Sequence, residues 1–144
     1  MKSFNFLDHA KYRIVSMTKD FDSWNEIKKK VNAKEQANLC SEREIWWTSL
    51  GLNIGNEQDG NGNNYERPVV VLRNINNVTC FIVPLTTSPT NNAYRISLGK
   101  IRGKKSWAAI SQLRVIDTRR LNNRIGKVDK DLFETIRKAL KEFL

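Results

Sequence analysis

Between residues 44 and 128 the chain is cut into short β-prone runs by turn-forming clusters, and this punctuation restricts the fold more than any other feature. EIWWTSL (44–50), PVVVL (68–72), TCFIVPL (79–85), YRISL (94–98), SWAAIS (106–111) and RIGKV (124–128) carry the β-branched and aromatic residues that suit a pleated surface. None approaches the roughly 20 apolar residues of a membrane span. The turn over 74–77, between the second and third runs, predicts an antiparallel hairpin. Residues 51–64, GLNIGNEQDGNGNN, hold four Gly and five Asn and read as a long mobile loop. After the last run Asp129 is placed to cap a closing helix, with Leu132, Phe133, Ile136, Leu140, Phe143 and Leu144 on one stripe. Many short strands followed by one helix predict a mainly β fold, a small antiparallel barrel or curled sheet with a C-terminal helix.

Residues 1–40 have another texture. They contain no Gly or Pro and carry eight Lys/Arg against five Asp/Glu. Phe4, Leu7, Lys11 and Ile14 fall at helical spacing. Asp20 or Asp22 is placed to cap a further helix with Phe21, Trp24, Ile27 or Lys28, and Val31 on one face. The expected organisation is an N-terminal helical extension over 1–40 packed against a barrel domain over 41–144.

The inventory of side chains narrows the chemistry. His9 is the single histidine, which excludes a paired-imidazole acid/base mechanism and a two-histidine metal site within one chain. Cys40 and Cys80 are too few for a disulfide scaffold or a four-thiolate zinc site, and no cofactor or metal is expected. The opening MKSFNFLDHAKYR lacks the apolar stretch of a secretory signal, so a cytoplasmic location is expected. The formal charge is +10, and ten Lys/Arg against the single acid Asp117 in residues 95–127 account for +9 of it. Such a concentration on a small barrel makes a positive face suited to a nucleic-acid backbone or an acidic protein. A solubility surface is the plainer reading.

Three pieces, in this order, carry a family resemblance. They are EIWWTSLGLNIGNEQDG with its Gly-x-Glu-Gln loop, ERPVVVL with Arg-Pro opening a strand, and CFIVPLTTSP with a strand ending in Pro-x-Thr-Thr. Together they resemble the PemK/MazF family of toxin endoribonucleases from bacterial toxin–antitoxin systems. WAAISQLRVID and RIGKVDKDLFETIRKALKEFL are similar to that family's Gln-x-Arg segment and C-terminal helix. The resemblance implies an SH3-like barrel, a homodimer, and metal-independent cleavage of single-stranded RNA to a 2′,3′-cyclic phosphate and a 5′-hydroxyl. It also implies a cognate antitoxin as partner, for which an acidic, partly disordered chain would suit the basic face. No membrane partner is expected. Arg67, Thr86 and Glu57 fall at the family's catalytic arginine, catalytic threonine and loop glutamate. Where one branch of the family has Arg-x-Asp-Gln, this chain has Ala109, Ser111 and Gln112, so that aspartate cannot serve as base here.

This chemistry suits a histidine-poor chain, because the nucleophile is the RNA's own 2′-hydroxyl. Arg67 offers permanent charge and forked donors, and Pro68 biases its backbone to an extended form. Thr86, with the amides of the TTSP turn, can form an anion nest, and Glu57 is the carboxylate available for proton transfer. Which of the three is acid and which is base stays open. Gln58, Thr87, Ser88, Lys104, Lys105, Gln112 and Arg114 are candidates for RNA contact, and Arg119 and Arg120 for looser phosphate contact. One of Trp46 and Trp47 is expected in the core, the other at an interface or stacked on a base. Taken singly, each residue has a plainer reading: Arg67 ion-paired to Glu66 or Asp59, Thr86 and Ser88 capping a turn, Glu57 a solvated charge. The competing function is a non-catalytic nucleic-acid-binding or topoisomerase-inhibiting toxin of the same barrel. Convergence of Glu57, Arg67 and Thr86 on one site separates the two.

Overall fold

The structure is a computed structural model and describes residues 10–88 and 93–144. Phe4, Leu7 and His9 lie outside those residues. In chain order the elements are α1 (Phe21–Asn32), β1 (Glu44–Ser49), β2 (Glu66–Ile75), β3 (Thr79–Thr86), β4 (Arg95–Ile101), β5 (Lys104–Ala109), β6 (Arg114–Asp117), β7 (Leu121–Lys127) and α2 (Lys130–Phe143). The strands form one antiparallel sheet in the order β4-β5-β3-β2-β1-β7, with β6 also paired to β3. β3 divides its outer edge: residues 79–82 pair with β6, and Leu85 and Thr86 pair with β5. The path from β4 to β7 does not close on itself, so this SH3-like sheet is a curled half-barrel.

Alternation along the central strands sorts the apolar residues into two cores. Ile45, Val70, Val83 and Leu85 pack with Phe133, Ile136 and Leu140 of α2. Trp46, Val69, Val71 and Ile82 face the other way and pack with Cys40, Leu50, Ile116 and Leu121. Trp46 is thus the core member of its pair, while Trp47 is half-buried. Cys80 is fully buried, as its apolar strand predicts, and its thiol donates to Cys40; that bond, and then burial, raise its pKa. α2 begins at the expected cap, Asp129, whose carboxylate accepts from Asp131 N (3.3 Å).

The expected runs omit β6 and start β5 two residues late. β5 begins at Lys104 because ladder pairing with β4 (Lys100 with Lys105, Ile101 with Lys104) carries the strand through charged positions. At the N-terminus, Asp20, one of the two caps offered by the sequence, caps α1 through Ser23 N (3.0 Å), and Asp22 falls in the first turn. The earlier helix, expected on Phe4, Leu7, Lys11 and Ile14, is not formed where it is described. Residues 10–20 carry no regular structure, and Tyr12 and Val15 are 90% and 85% exposed. The described part of its stripe is a lysine, Lys11, and Ile14, which is 70% exposed. Of α1's apolar face only Trp24 is buried.

Candidate active site

The 51–64 segment determines what surrounds the sequence-predicted residues. It is not one mobile loop but two closed ones. Gly60 N donates to Gly51 O (2.8 Å) and Gly51 N to Tyr65 O (3.1 Å), pinching off residues 52–59. Asn61 and Glu66 exchange two backbone bonds of 2.8 Å, closing the turn over 62–65. The pinch requires glycine: a Cβ on Gly60 would lie 1.7 Å from Tyr65 O, and Gly51 has φ +81° with the Trp24 ring against it. Within the first loop the Asn53 side chain donates to Gln58 O (2.8 Å) and Leu50 O (3.3 Å), and Asp59 Oδ1 accepts from Asn53 N (2.6 Å). Asn and Gly supply turns and bonds here rather than slack.

Arg67 holds this loop to the sheet. Its Nε donates to Asp59 O (2.6 Å) and its Nη1 to Leu85 O (3.1 Å). It makes no ion pair with Glu66 or Asp59, and the Asp59 carboxylate is taken by Lys19 instead (2.8 Å). Burial pulls the Arg67 pKa below its ordinary value, Asp59 opposes this and Arg95 adds to it. With its fork bound to carbonyls rather than carboxylates, Arg67 makes no ion pair among the described residues, and Asp59 acts on its charge without contacting it through the carboxylate.

Continuing the Val69–Pro84 register by two residues sets Arg67 opposite Thr86. Thr48 pairs with Arg67 and Trp107 with Thr86. Thr48, Arg67, Thr86 and Trp107 therefore form one cross-strand row, on the face that carries Val69 and Ile82. Thr86 is buried and its Oγ1 accepts from Ser88 N (3.1 Å), so the local turn cap is present as well. Arg95 Nη1 donates to Ser88 O (2.6 Å), and Thr87 and Ser88 stand exposed beyond the strand end. Trp107, half-buried, was not legible as a site residue. Only the β3–β5 pairing brings it beside Thr86.

Glu57 shares this side of the molecule but not the row. It is exposed, its Oε1 accepts from Ile54 N (3.1 Å), and its charge faces Arg114. Burial lowers the Arg114 pKa and Glu57 opposes the shift. Gln112 ties the loop down beside them, accepting from Gln58 N (3.1 Å) and donating to Asn56 O (3.3 Å). Arg67 and Thr86 are thus brought together, while Glu57, Gln58, Gln112 and Arg114 form a neighbouring cluster.

A cavity of about 600 Å³ opens on the opposite side, lined by Trp47, Glu66, Pro68, Leu85, Arg102 and Lys104 among others. Arg67 and Thr86 also contribute to its wall, but alternation directs their side chains away from it, toward the loop side. The cavity continues the α2-side core outward. The donors of Arg67 and Thr86 are assembled on the row instead.

Part of the basic stretch has partners within the molecule, Arg119 and Arg120 among them. Arg119 pairs with Asp117 (2.9 Å) and donates to Asn32 O (2.9 Å). Arg120 donates to Ser49 O (3.0 Å) and Leu50 O (3.2 Å) and lies 5.9 Å above the Trp24 ring. Lys100, Arg102, Lys104 and Lys105 stay exposed along the β4–β5 hairpin. Among the described residues no three His, Cys, Asp or Glu side chains gather as a metal site requires.

Residues 41–144 match the family described as PemK-like, MazF-like toxin of type II toxin-antitoxin system. No curated protein matches the chain. Among solved structures, MazF from Deinococcus radiodurans is similar with a TM-score of 0.62 at 18% identity, covering 74% of this chain and 96% of that one. The MazE–MazF complex of the same organism gives 0.57 at 14% identity, over 74% and 95%. An endoribonuclease in complex with its cognate antitoxin, from a mycobacterial species, gives 0.56 at 14% identity, over 72% and 93%. At these identities the likeness is one of fold. The family match starts after α1, so Lys19 and Trp24 lie outside it.

Proposed function

The chain belongs to the PemK-like, MazF-like toxin family of type II toxin–antitoxin systems, and from that premise we propose that it is the toxin of such a pair and cleaves single-stranded RNA. The observation that carries this reading is the Arg67–Thr86 pair, a guanidinium bound to two carbonyls, with no ion pair among the described residues, set opposite a strand-end hydroxyl. The substrate's 2′-hydroxyl attacks the adjacent phosphorus and the bond to the 5′-oxygen breaks. The products are a 2′,3′-cyclic phosphate and a 5′-hydroxyl. The proton leaving the 2′-oxygen goes to a base, and the departing 5′-oxygen takes one up. Arg67 stabilises the charge that grows on the phosphorane oxygens. The Thr86 oxygen already accepts from Ser88 N, so its own proton is left to donate to phosphate. Glu57 is the carboxylate of the neighbouring cluster and serves proton transfer.

Gln58, Thr87, Ser88, Lys105, Gln112 and Arg114 border the same side and contact the strand on either side of the scissile phosphate, and Trp107 stacks a base. Lys104, on the cavity rim, meets only RNA that passes the hairpin tip. The toxin domain is 41–144, with 1–40 an extension, and two copies form a homodimer. The antitoxin is an acidic, partly disordered chain that covers the exposed lysines and arginines of the β4–β5 hairpin. No helix among the described residues is long and apolar enough to cross a membrane.

Incubation of the purified chain with mixed-sequence single-stranded RNA in EDTA tests the proposal. Fragments ending in cyclic phosphate are expected, and DNA, lacking the 2′-hydroxyl, stays intact. Intact RNA across several sequences would overturn it. The position of Glu57 off the Arg67–Thr86 row favours the second reading, a non-catalytic binder, for which the same experiment returns bound but uncut RNA.

A further inference from the structure

We infer that Lys19, from the segment preceding the family match, is a positioning residue for Arg67 and acts through Asp59. The Lys19 side chain is only 10% exposed, and its ammonium reaches Asp59 Oδ2 (2.8 Å), Asn53 O (2.7 Å) and Gly55 O (2.9 Å). Its three donors thereby meet three acceptors of the first loop. Asp59 spends its other carboxylate oxygen on Asn53 N (2.6 Å) and its main-chain carbonyl on Arg67 Nε (2.6 Å). A continuous chain of polar contacts therefore runs from Lys19 through Asp59 to the guanidinium. From Arg67 it passes to the carbonyl of Leu85, the residue before Thr86.

Lys19 is itself held in place. The next residue, Asp20, caps α1, and Trp24 of α1 packs on Gly51 at the neck of the loop and edge-on to Tyr65 at 5.5 Å. The helix anchors the segment, and Lys19 delivers a positive charge to Asp59, the partly buried carboxylate of the loop over 52–59 that bonds Arg67. Removing that charge leaves Asp59, 24% exposed, without its ion-pair partner, and Arg67, which meets its carbonyl, as the nearby cation. The loop must then turn the carboxylate toward water, and the Asp59 carbonyl leaves Arg67 with it. Misplacing a reacting group by about 1 Å costs on the order of 100-fold in rate. The segment before residue 41 is on this account part of the site rather than an ornament to it.

The test uses the full chain with Lys19→Met and Lys19→Arg. It has two readouts: exchange of the Arg67 Nε–H with solvent by ¹⁵N NMR, assigned with Arg67→Lys, and steady-state cleavage of a single-stranded RNA. Only the second rests on the proposed ribonuclease function. Lys19→Met is expected to speed the Nε–H exchange and to lower kcat by about 10- to 100-fold with KM little changed. Lys19→Arg restores both. If Lys19→Met does not fold, Asp59→Asn is read in its place, since it keeps an oxygen for Asn53 N and loses the charge that Lys19 meets. Wild-type exchange and wild-type kcat in a folded variant overturn the inference. A wild-type chain that cuts no RNA sinks the ribonuclease reading, and the exchange measurement then decides the role of Lys19 alone.

Discussion

The two faces of β2 and β3 are made from alternate residues of the same strands, yet they finish differently. Toward α2, Val70, Val83 and Leu85 meet a wall of Phe133, Ile136 and Leu140, and the core opens at one end into a cavity of about 600 Å³. On the other face Val69, Val71 and Ile82 give way at the strand ends to Arg67 and Thr86, roofed by a polar loop. One face opens into a cavity rimmed by Glu66, Arg102 and Lys104, and the other sets Arg67 and Thr86 against a closed loop. The residues proposed to react, Arg67 and Thr86, stand where a strand end and the closed loop meet.

The largest effect expected is on the α2 face. Phe133→Ala removes a buried ring from that core and should cost about 3–5 kcal/mol in denaturant unfolding, with unchanged RNA cleavage per folded molecule. Loss of specific activity without loss of stability would show that the two faces are not separate. Next is Arg67→Ala, expected to cut RNA cleavage by about 100- to 1000-fold while circular dichroism still reports a folded sheet. The pair Trp107→Ala and Trp47→Ala then asks which face touches RNA. Titration with an uncleavable 2′-deoxy oligonucleotide should show a loss of about 1–3 kcal/mol for Trp107. Trp47, on the cavity side, should show little loss; the opposite ranking would exchange the roles of the faces.

The smallest effect is a pH dependence confined to the loop face. Hydrogen bonds from Arg119, opposed by burial, hold the Asp117 carboxyl below the usual carboxylate range. A carboxylate with a lowered folded pKa stabilises the fold above its unfolded value, near 3.9, and loses that contribution as pH falls through the folded value. Asp117→Asn should therefore unfold more readily than wild type at neutral pH, by a small margin for so exposed a pair. The difference should vanish in acid. The α2-side core holds no ionisable group, so Ile136→Val should lose the same stability at either pH.

Elements whose evidence is local could be read directly from residue order. Asp20 and Asp129 announce their helices because a cap is a matter of one side chain and the amides just after it. The hairpin of β2 and β3 follows from two apolar runs and a turn. β6 was invisible because Arg114 and Asp117 flank only two apolar residues, and it becomes a strand through pairing with Cys80 and its neighbours. The site shows the same division. Arg67 and Thr86 stand in motif-like surroundings, whereas their opposition depends on register, and Trp107 and Lys19 enter only through contacts across 21 and 40 residues of chain to Thr86 and Asp59. The internal partners of Arg119 and Arg120 were not legible either, because a charge tally cannot distinguish a cation facing solvent from one bonded to carbonyls.

The glycine neck has an evolutionary corollary. Residues 52–59 leave the sheet and return through two glycines joined by a backbone bond, and side chains of Lys19, Arg67 and Gln112 hold what lies between them. An insert there can lengthen at low entropic cost, about 0.6 kcal/mol for each doubling. This loop also carries the Glu57–Gln58 dipeptide and the carbonyl that aims Arg67. Grafting another such insert onto an unaltered scaffold would change what is read at the site without refolding the rest. Divergence in substrate preference can therefore accumulate in the insert while the strands stay fixed.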